Sequence, residues 1–295
     1  MTAFLQLLFQ GVALGCIYAL VALGFTVVYR ASKVINFAQG SLLLVGAYLV
    51  SVLATGLNLP FALAVIAAIA LLAAGGAIFQ MMVLQRVLGQ PVFVLVMITI
   101  GLSIVIDSAI PAIFGGNARI LGDPWGASAV NVGGVTFNWV RIWTVLCTGL
   151  ILALYFAFDR FSRYGLAMRA TAADEEAAQA VGVPVRRVYA LTWAIAGGVA
   201  AVGGMFLAGF PSSVNPSLGD VALRAFPAVI LGGLDSPPGA VVGGITIGIV
   251  EVMASGYAPG WTGSNFAAVA PYVVMILVLL IKPYGLFGTR PVERV

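Results

Sequence analysis

The chain of 295 residues carries 14 basic and 10 acidic side chains, a net charge of +4, and 62% of its residues are hydrophobic against 8% charged. With a mean hydropathy of +1.11 it cannot cover a water-facing surface, because soluble domains carry about 25% charged residues; a soluble globular domain is excluded and a polytopic membrane protein remains. The basic residues are scattered among the polar connections, so no nucleic-acid partner is expected, and the absence of histidine removes any His-based triad or His metal site.

Apolar runs of spanning length follow one another along the chain. A ~30 Å hydrocarbon core needs about 20 helical residues at ~1.5 Å each. Residues 4–29 supply them with room for tilt. No Lys or Arg precedes Arg30, unlike the basic start of a cleaved signal, so this run is expected to be retained. Residues 37–54, 60–84, 92–114 and 139–158 come next, and after a polar stretch 188–210, a short run 221–234 interrupted by Arg224 and Pro227, then 239–254 and 266–281. The predicted fold is all-α: a transmembrane helical bundle of about eight or nine segments, a single domain over residues 1–295, set in membrane lipid. Residues 115–138, rich in Gly and Asn and containing Trp125, read as an external loop with a hairpin around 131–134. Cys16 and Cys147 both sit in apolar runs, which favours packed thiols over a disulfide.

Orientation follows from the basic residues. With the polar stretch in the cytoplasm and nine alternating crossings, Arg30, Lys33, Arg86, Arg160, Arg163, Arg169, Arg186, Arg187, Lys282, Arg290 and Arg294 fall inside; Arg119, Arg141 and Arg224 do not. The reverse orientation would leave three inside. The N-terminus is therefore expected outside and the C-terminus in the cytoplasm, with 221–234 crossing as a short or bent helix.

The polar stretch, residues 159–189, holds Asp159, Arg160, Arg163, Arg169, Asp174, Glu175, Glu176, Arg186 and Arg187, nine of the 24 charged side chains. It reads as a short helix in water. Thr171 is the expected cap, with Asp174 three residues on, and Asp174, Glu175 and Glu176 suit the positive end of the helix dipole. Gly182 supplies the left-handed residue after the last turn, and Pro184 cannot continue the helix.

Within the apolar runs, Asn36, Gln39 and Ser41 enter the membrane beside Gly40 and Gly46. Amides in hydrocarbon need partners, so they either line a water-filled path or hydrogen-bond neighbouring helices. Asp107, Arg224 and Glu251 border the membrane and read either as functional charges or as residues paired at helix ends. Gly11/Gly15, Gly239/Gly243 and Gly244/Gly248 have GxxxG spacing, and Gly197, Gly198, Gly203 and Gly204 add a small face; both suit close packing, within the subunit or with a second one.

Glu176-Ala177-Ala178, three residues and then Gly182 resembles the cytoplasmic coupling loop of ABC-transporter permeases, here residues 159–187. The Leu-Pro that ends this motif in many importers is absent; Thr192 and Trp193 stand near that place, which fits the branched-chain amino-acid branch better than the sugar or metal branches. Residues 30–48, from Arg30 through Asn36, Gln39 and Ser41 to Tyr48, resemble the start of the second membrane segment in that branch. Residues 98–106 resemble its fourth segment and 231–240 a stretch of its C-terminal half. With 164–183, the similarity spreads over nearly the whole chain.

The resemblance implies a permease of the bacterial inner membrane. Its implied partners are a homologous permease subunit, two cytoplasmic ATPase subunits and a periplasmic binding protein. Glu176, Ala177, Ala178 and Gly182 would form the docking helix; Asn36, Gln39 and Ser41 are the candidate translocation path from their own polar groups, with interhelical hydrogen bonding as the alternative. Neither lysine follows a phosphate-binding glycine loop, so no cofactor is expected in this chain and ATP would be bound by the partner subunits. No nucleophile–base constellation or metal-ligand cluster is visible, so no catalytic or metal residues are assigned. A urea or short-amide permease of the same class, and an ATPase-independent secondary transporter, are the alternatives; the latter requires no coupling helix.

Overall fold

The computed structural model describes residues 2–87, 89–133, 135–209, 212–258 and 266–289. Its axis is α1 (Thr2–Ser32), apolar on every face and enclosed almost completely from Ala13 to Val28, as a helix without a polar stripe must be. Around it stand α2 (Gln39–Ser51, extended by a π-helical turn Val52–Gly56), α5 (Trp139–Phe161), α8 (Val185–Ala208) and α10 (Pro237–Tyr257). α3 (Phe61–Met82) and α4 (Val92–Phe114) lie outside this core and present Leu63, Ile66, Ile104 and Ile113 outward, side chains suited to lipid rather than water.

Glycines set the closest crossing. Gly11 faces Ile249 and Gly15 faces Ile245, while Gly248 lies against Gly15, so α1 and α10 run antiparallel. A Cβ on Gly248 would stand 2.2 Å from the Gly15 amide nitrogen. The Gly11/Gly15 and Gly244/Gly248 pairs therefore serve packing inside the subunit.

Helix ends sort onto two faces. Arg30, closing α1, pairs with Asp159 near the end of α5 at 3.5 Å. Ala31 packs on Val185 and Tyr189 at the start of α8. Past α11 (Phe266–Ile281) the chain returns to the same face, where the Leu286 and Phe287 amides donate to the carbonyls of Leu231 and Gly232 at 2.8 and 3.1 Å. This face gathers Arg30, Lys33, Arg160, Arg163, Arg169, Arg186, Arg187 and Lys282. Arg290 and Arg294 lie outside the described residues.

At the other face, β1 (Ala129–Val132) pairs antiparallel with β2 (Val135–Asn138), Val132 opposite Val135. The expected hairpin forms, with Gly134 outside the described residues, and it qualifies the all-α expectation for this loop. Trp125 wedges among Phe61, Trp143 and Phe206, ring centroids 5.3, 6.0 and 6.2 Å away, and so pins the loop to α3, α5 and α8.

Among the described residues seven helices are long and apolar enough to cross a membrane: Thr2–Ser32, Gln39–Gly56, Phe61–Val87, Val92–Phe114, Trp139–Phe161, Val185–Ala208 and Pro237–Tyr257. α9 (Val221–Gly232) has 12 residues and α11 has 16, so the eight or nine expected segments resolve into seven of spanning length and two shorter helices. α9 follows directly on a 3-10 turn, Pro216–Asp220.

The polar stretch also differs from its reading as one helix capped by Thr171. It forms α6 (Arg163–Ala173) and α7 (Glu175–Ala180), split at Asp174 by an extended backbone (φ −159°). Thr171 lies inside α6 and donates to the Ala167 carbonyl at 2.9 Å. The cap of α7 is Asp174, which accepts from the Ala177 amide at 2.9 Å, and that of α6 is Ser162, accepting from Gly165 at 2.8 Å.

Candidate translocation site and coupling corner

α1 and α2 are separated by a non-helical stretch, residues 33–38. This break sits inside the bundle: Gln39, the first residue of α2, is level with Gly24 of α1 and Ala196 of α8. Its polar groups are satisfied locally and across helices. The Asn36 side-chain carbonyl accepts from the Ala38 amide at 3.1 Å, and the Asn36 NH2 donates to the Gln39 side-chain carbonyl at 3.3 Å. The Gln39 NH2 in turn donates to the Ala196 carbonyl at 3.2 Å. Both amides are 0% exposed. The Phe37 amide donates to Thr99 Oγ1 of α4 at 3.2 Å. A Cβ on Gly24 would strike the Gln39 side chain; Gly24 is what lets that side chain lie flat against α1.

Beside the break opens a cavity of about 410 Å³ between α1, α2, α4, the 3-10 turn and α9. Ser41 is on its wall; Asn36 and Gln39 are not among its lining residues. The polar lining is Ser41, Ser103, Asp107 and Asp220, and the apolar lining is led by Phe25, Phe37 and Phe226. The Ser103 hydroxyl donates to Asp107 Oδ2 at 3.1 Å and stands 2.9 Å from the Ser41 hydroxyl. A hydroxyl has one proton to donate; Ser103 spends it on Asp107, so Ser41 is the donor to Ser103. On α4 these residues are four apart and share one face. The Ser-x-x-x-Asp spacing was the available sequence signal for this pair.

The other two intramembrane charges are paired. Glu251 of α10, 8% exposed, accepts from the Tyr18 hydroxyl at 2.5 Å and lies 3.7 Å from the Arg224 guanidinium. This cluster ties α1, α9 and α10 together. Asp107 and Asp220 have no basic partner among the described residues. No three His, Cys, Asp or Glu side chains converge on a metal position among the described residues.

The coupling corner hangs on Asp159. Its carboxylate pairs with Arg30 of α1 and, at 3.3 Å, with Arg169 of α6, which also donates to the Asp159 backbone carbonyl. The tight α5–α6 bend needs Gly165, since a Cβ there would stand 2.3 Å from the Asp159 carbonyl. In the sequence Asp159 is one charge among nine in the polar stretch; its role as a three-helix clamp depends on partners 129 and 10 residues away. α7 ends as a Schellman turn. The Gly182 amide donates to the Gln179 carbonyl and the Val183 amide to that of Ala178, both at 2.9 Å, with Gly182 at φ +87°. Of the four motif residues, Ala178 is buried beneath the helix while Glu176, Ala177 and Gly182 are exposed. Exposed apolar side chains surround them: Phe161, Tyr164, Leu166 and Val181.

Spanning helices around an enclosed apolar core, with a polar break at membrane depth, define a multi-pass membrane protein. The chain belongs to the family described as branched-chain amino acid transport system / permease component, whose model matches residues 7–281; it is thus an ABC-transporter permease by family. LivH of Escherichia coli (strain K12), a high-affinity branched-chain amino acid transport system permease protein, is 34% identical over 99% of this chain and 98% of LivH. BraD of Pseudomonas aeruginosa, of the same description, is 31% identical over 99% and 98%. A probable LivH of Methanocaldococcus jannaschii is 31% identical over 91% and 88%. Among solved structures, PsaBC from Streptococcus pneumoniae in complex with Fab matches at TM-score 0.49 and 14% identity over 96% of this chain and 94% of that one, a likeness too distant to bear on function.

Proposed function

We propose that the chain is a membrane-spanning subunit of an ATP-driven importer of the bacterial inner membrane, passing branched-chain or related amino acids delivered by a periplasmic binding protein. It works beside a homologous permease subunit and two cytoplasmic ATPases, which bind the ATP. The observation that carries this reading is the exposed outer surface of the α6–α7 corner on a permease-family chain. Its exposed Glu176 and apolar side chains stand at the basic face of the bundle, as a surface for another protein requires. Family membership and the names of LivH and BraD support the amino-acid substrate.

Glu176, Ala177, Ala178 and Gly182 form the docking helix in this reading. The translocation path runs at the cavity, with Ser41 on its wall and Asn36 and Gln39 behind it, holding the α1–α2 break. Nine alternating passes, with α9 extended by its 3-10 turn, put the N-terminus outside and the basic face in the cytoplasm. ATPase closure pushes α7, and α5 and α8, attached on either side through α6 and Pro184, rock about the cavity.

The test is uptake of radiolabelled L-leucine by proteoliposomes holding the complete complex. Uptake that needs both ATP and the binding protein is expected; uptake without the ATPases would favour a secondary transporter, and uptake of urea alone the amide branch. Orientation is tested by single cysteines. One replacing Ser128 should be labelled from outside intact cells and one replacing Ala173 protected; the opposite pattern would overturn both orientation and docking.

A further inference from the structure

We propose that Asp107 is the anchor for the ammonium group of the amino acid in transit, an inference that rests on the importer reading above. Membrane-depth charges are costly unless paired. Glu251 meets this requirement with Arg224 and Tyr18. Asp107 lies in the second half of α4, sixteenth of its 23 residues, is exposed on the open cavity whereas Glu251 is buried, and has no basic partner among the described residues. The missing partner is a cation that comes and goes.

The carboxylate is prepared for one. The Ser41–Ser103 hydroxyl row donates to Oδ2 and fixes its rotamer. Oδ1 turns toward Gly219, 3.5 Å from where a Cβ would stand there, and among the described residues the hydroxyl bond goes to Oδ2 instead. Gly40 and Gly219 close the cavity behind it, since a Cβ on Gly40 would lie 2.4 Å from the Gly219 carbonyl. The rest of the wall selects the kind of cation. Phe226 is edge-on to Phe25 and stacked with Phe37, centroids 6.0 and 6.3 Å apart. An aromatic cluster beside a carboxylate favours an organic ammonium over a hydrated metal ion, and its apolar faces suit an aliphatic side chain. With Asp220 also on the lining and no Lys or Arg there, the lining favours the ammonium end of the amino acid at this wall over its carboxylate. Ser103 is a positioning residue: it acts through Asp107.

The experiment uses the complete reconstituted complex. Asp107→Asn should lower L-leucine uptake about tenfold or more, the loss of one charge-assisted bond. ATP hydrolysis stimulated by loaded binding protein should persist, and Asp107→Glu should recover most of the uptake. Ser103→Ala should raise the leucine concentration for half-maximal uptake with little change in maximal rate. Wild-type uptake by Asp107→Asn, or joint loss of uptake, stimulated ATPase and assembly, would overturn the proposal. A charge readout separates its failure from failure of the importer reading. A cysteine replacing Leu223, on the cavity wall, should react several-fold faster with a cationic methanethiosulfonate than with an anionic one, and Asp107→Asn should abolish that preference. If wild-type complex imports no leucine but the preference holds, the amino-acid reading falls and the cation site stands. If the preference is absent, Asp107 is neutralised and the anchor is refuted.

Discussion

Gly182→Val isolates backbone conformation from contact at the coupling corner. Gly182 sits at φ +87°, and a Cβ built there meets nothing within 4 Å. The cost of a side chain is therefore backbone strain alone, about 1–2 kcal/mol, and a β-branched residue stands at the unfavourable end. That strain opposes the two 2.9 Å bonds that turn the chain from α7 toward Pro184. It should shift the population holding this turn by a factor of roughly 5–30. The apolar helices on either side are untouched, so insertion and assembly should be normal. Reconstituted complexes should show both substrate-stimulated ATP hydrolysis and uptake reduced for Gly182→Val, less reduced for Gly182→Ala, and least for Gly182→Asn, which tolerates positive φ best. Wild-type levels for Gly182→Val would refute the coupling role of α7. Equal damage from Ala and Val would instead mean that a docked partner fills the open space at Gly182.

Three further outcomes are expected. Gln39→Leu removes the donor to Ala196 and the acceptor for Asn36, a loss of about 1–3 kcal/mol; uptake should fall with the complex still assembled, whereas loss of assembly on size-exclusion chromatography would assign the amide to packing alone. Gly248→Val, whose Cβ would lie 2.2 Å from the Gly15 nitrogen, should abolish the monodisperse folded subunit, while Gly101→Val on the open face of α4 should leave it intact. Tyr18→Phe removes a 2.5 Å hydrogen bond to the buried Glu251 carboxylate, worth about 1.5–3 kcal/mol; the Tm of the purified subunit should drop, and an unchanged Tm would show that Arg224 alone satisfies Glu251.

Hydropathy alone determined the membrane class and most helix positions. Residues 92–114 and 266–281 coincide with α4 and α11 as observed, because burial in lipid depends on the composition of the run itself. The positive φ of Gly182 was equally legible, since a helix terminus is a local conformation. The cap of α7 was not legible in the same stretch: Thr171, the expected cap, and Asp174 are both capping residues by type, and only the folded corner decides that Thr171 bonds back to Ala167 within α6 while Asp174 breaks the helix. The rest of the site required the tertiary fold. Asn36 and Gln39 were visible as polar residues in an apolar run, but whether they face a path or a helix turns on Ala196, 157 residues away from Gln39. Asp107, Arg224 and Glu251 looked equivalent as membrane charges. Tyr18 and Arg224 reach Glu251 because α1, α9 and α10 pack together. Asp107 is left facing a cavity because the chain from 216 to 226 meets Gly40 and leaves a gap beside α4. Those pairings are set by which helices lie side by side, and no local pattern of residues encodes that.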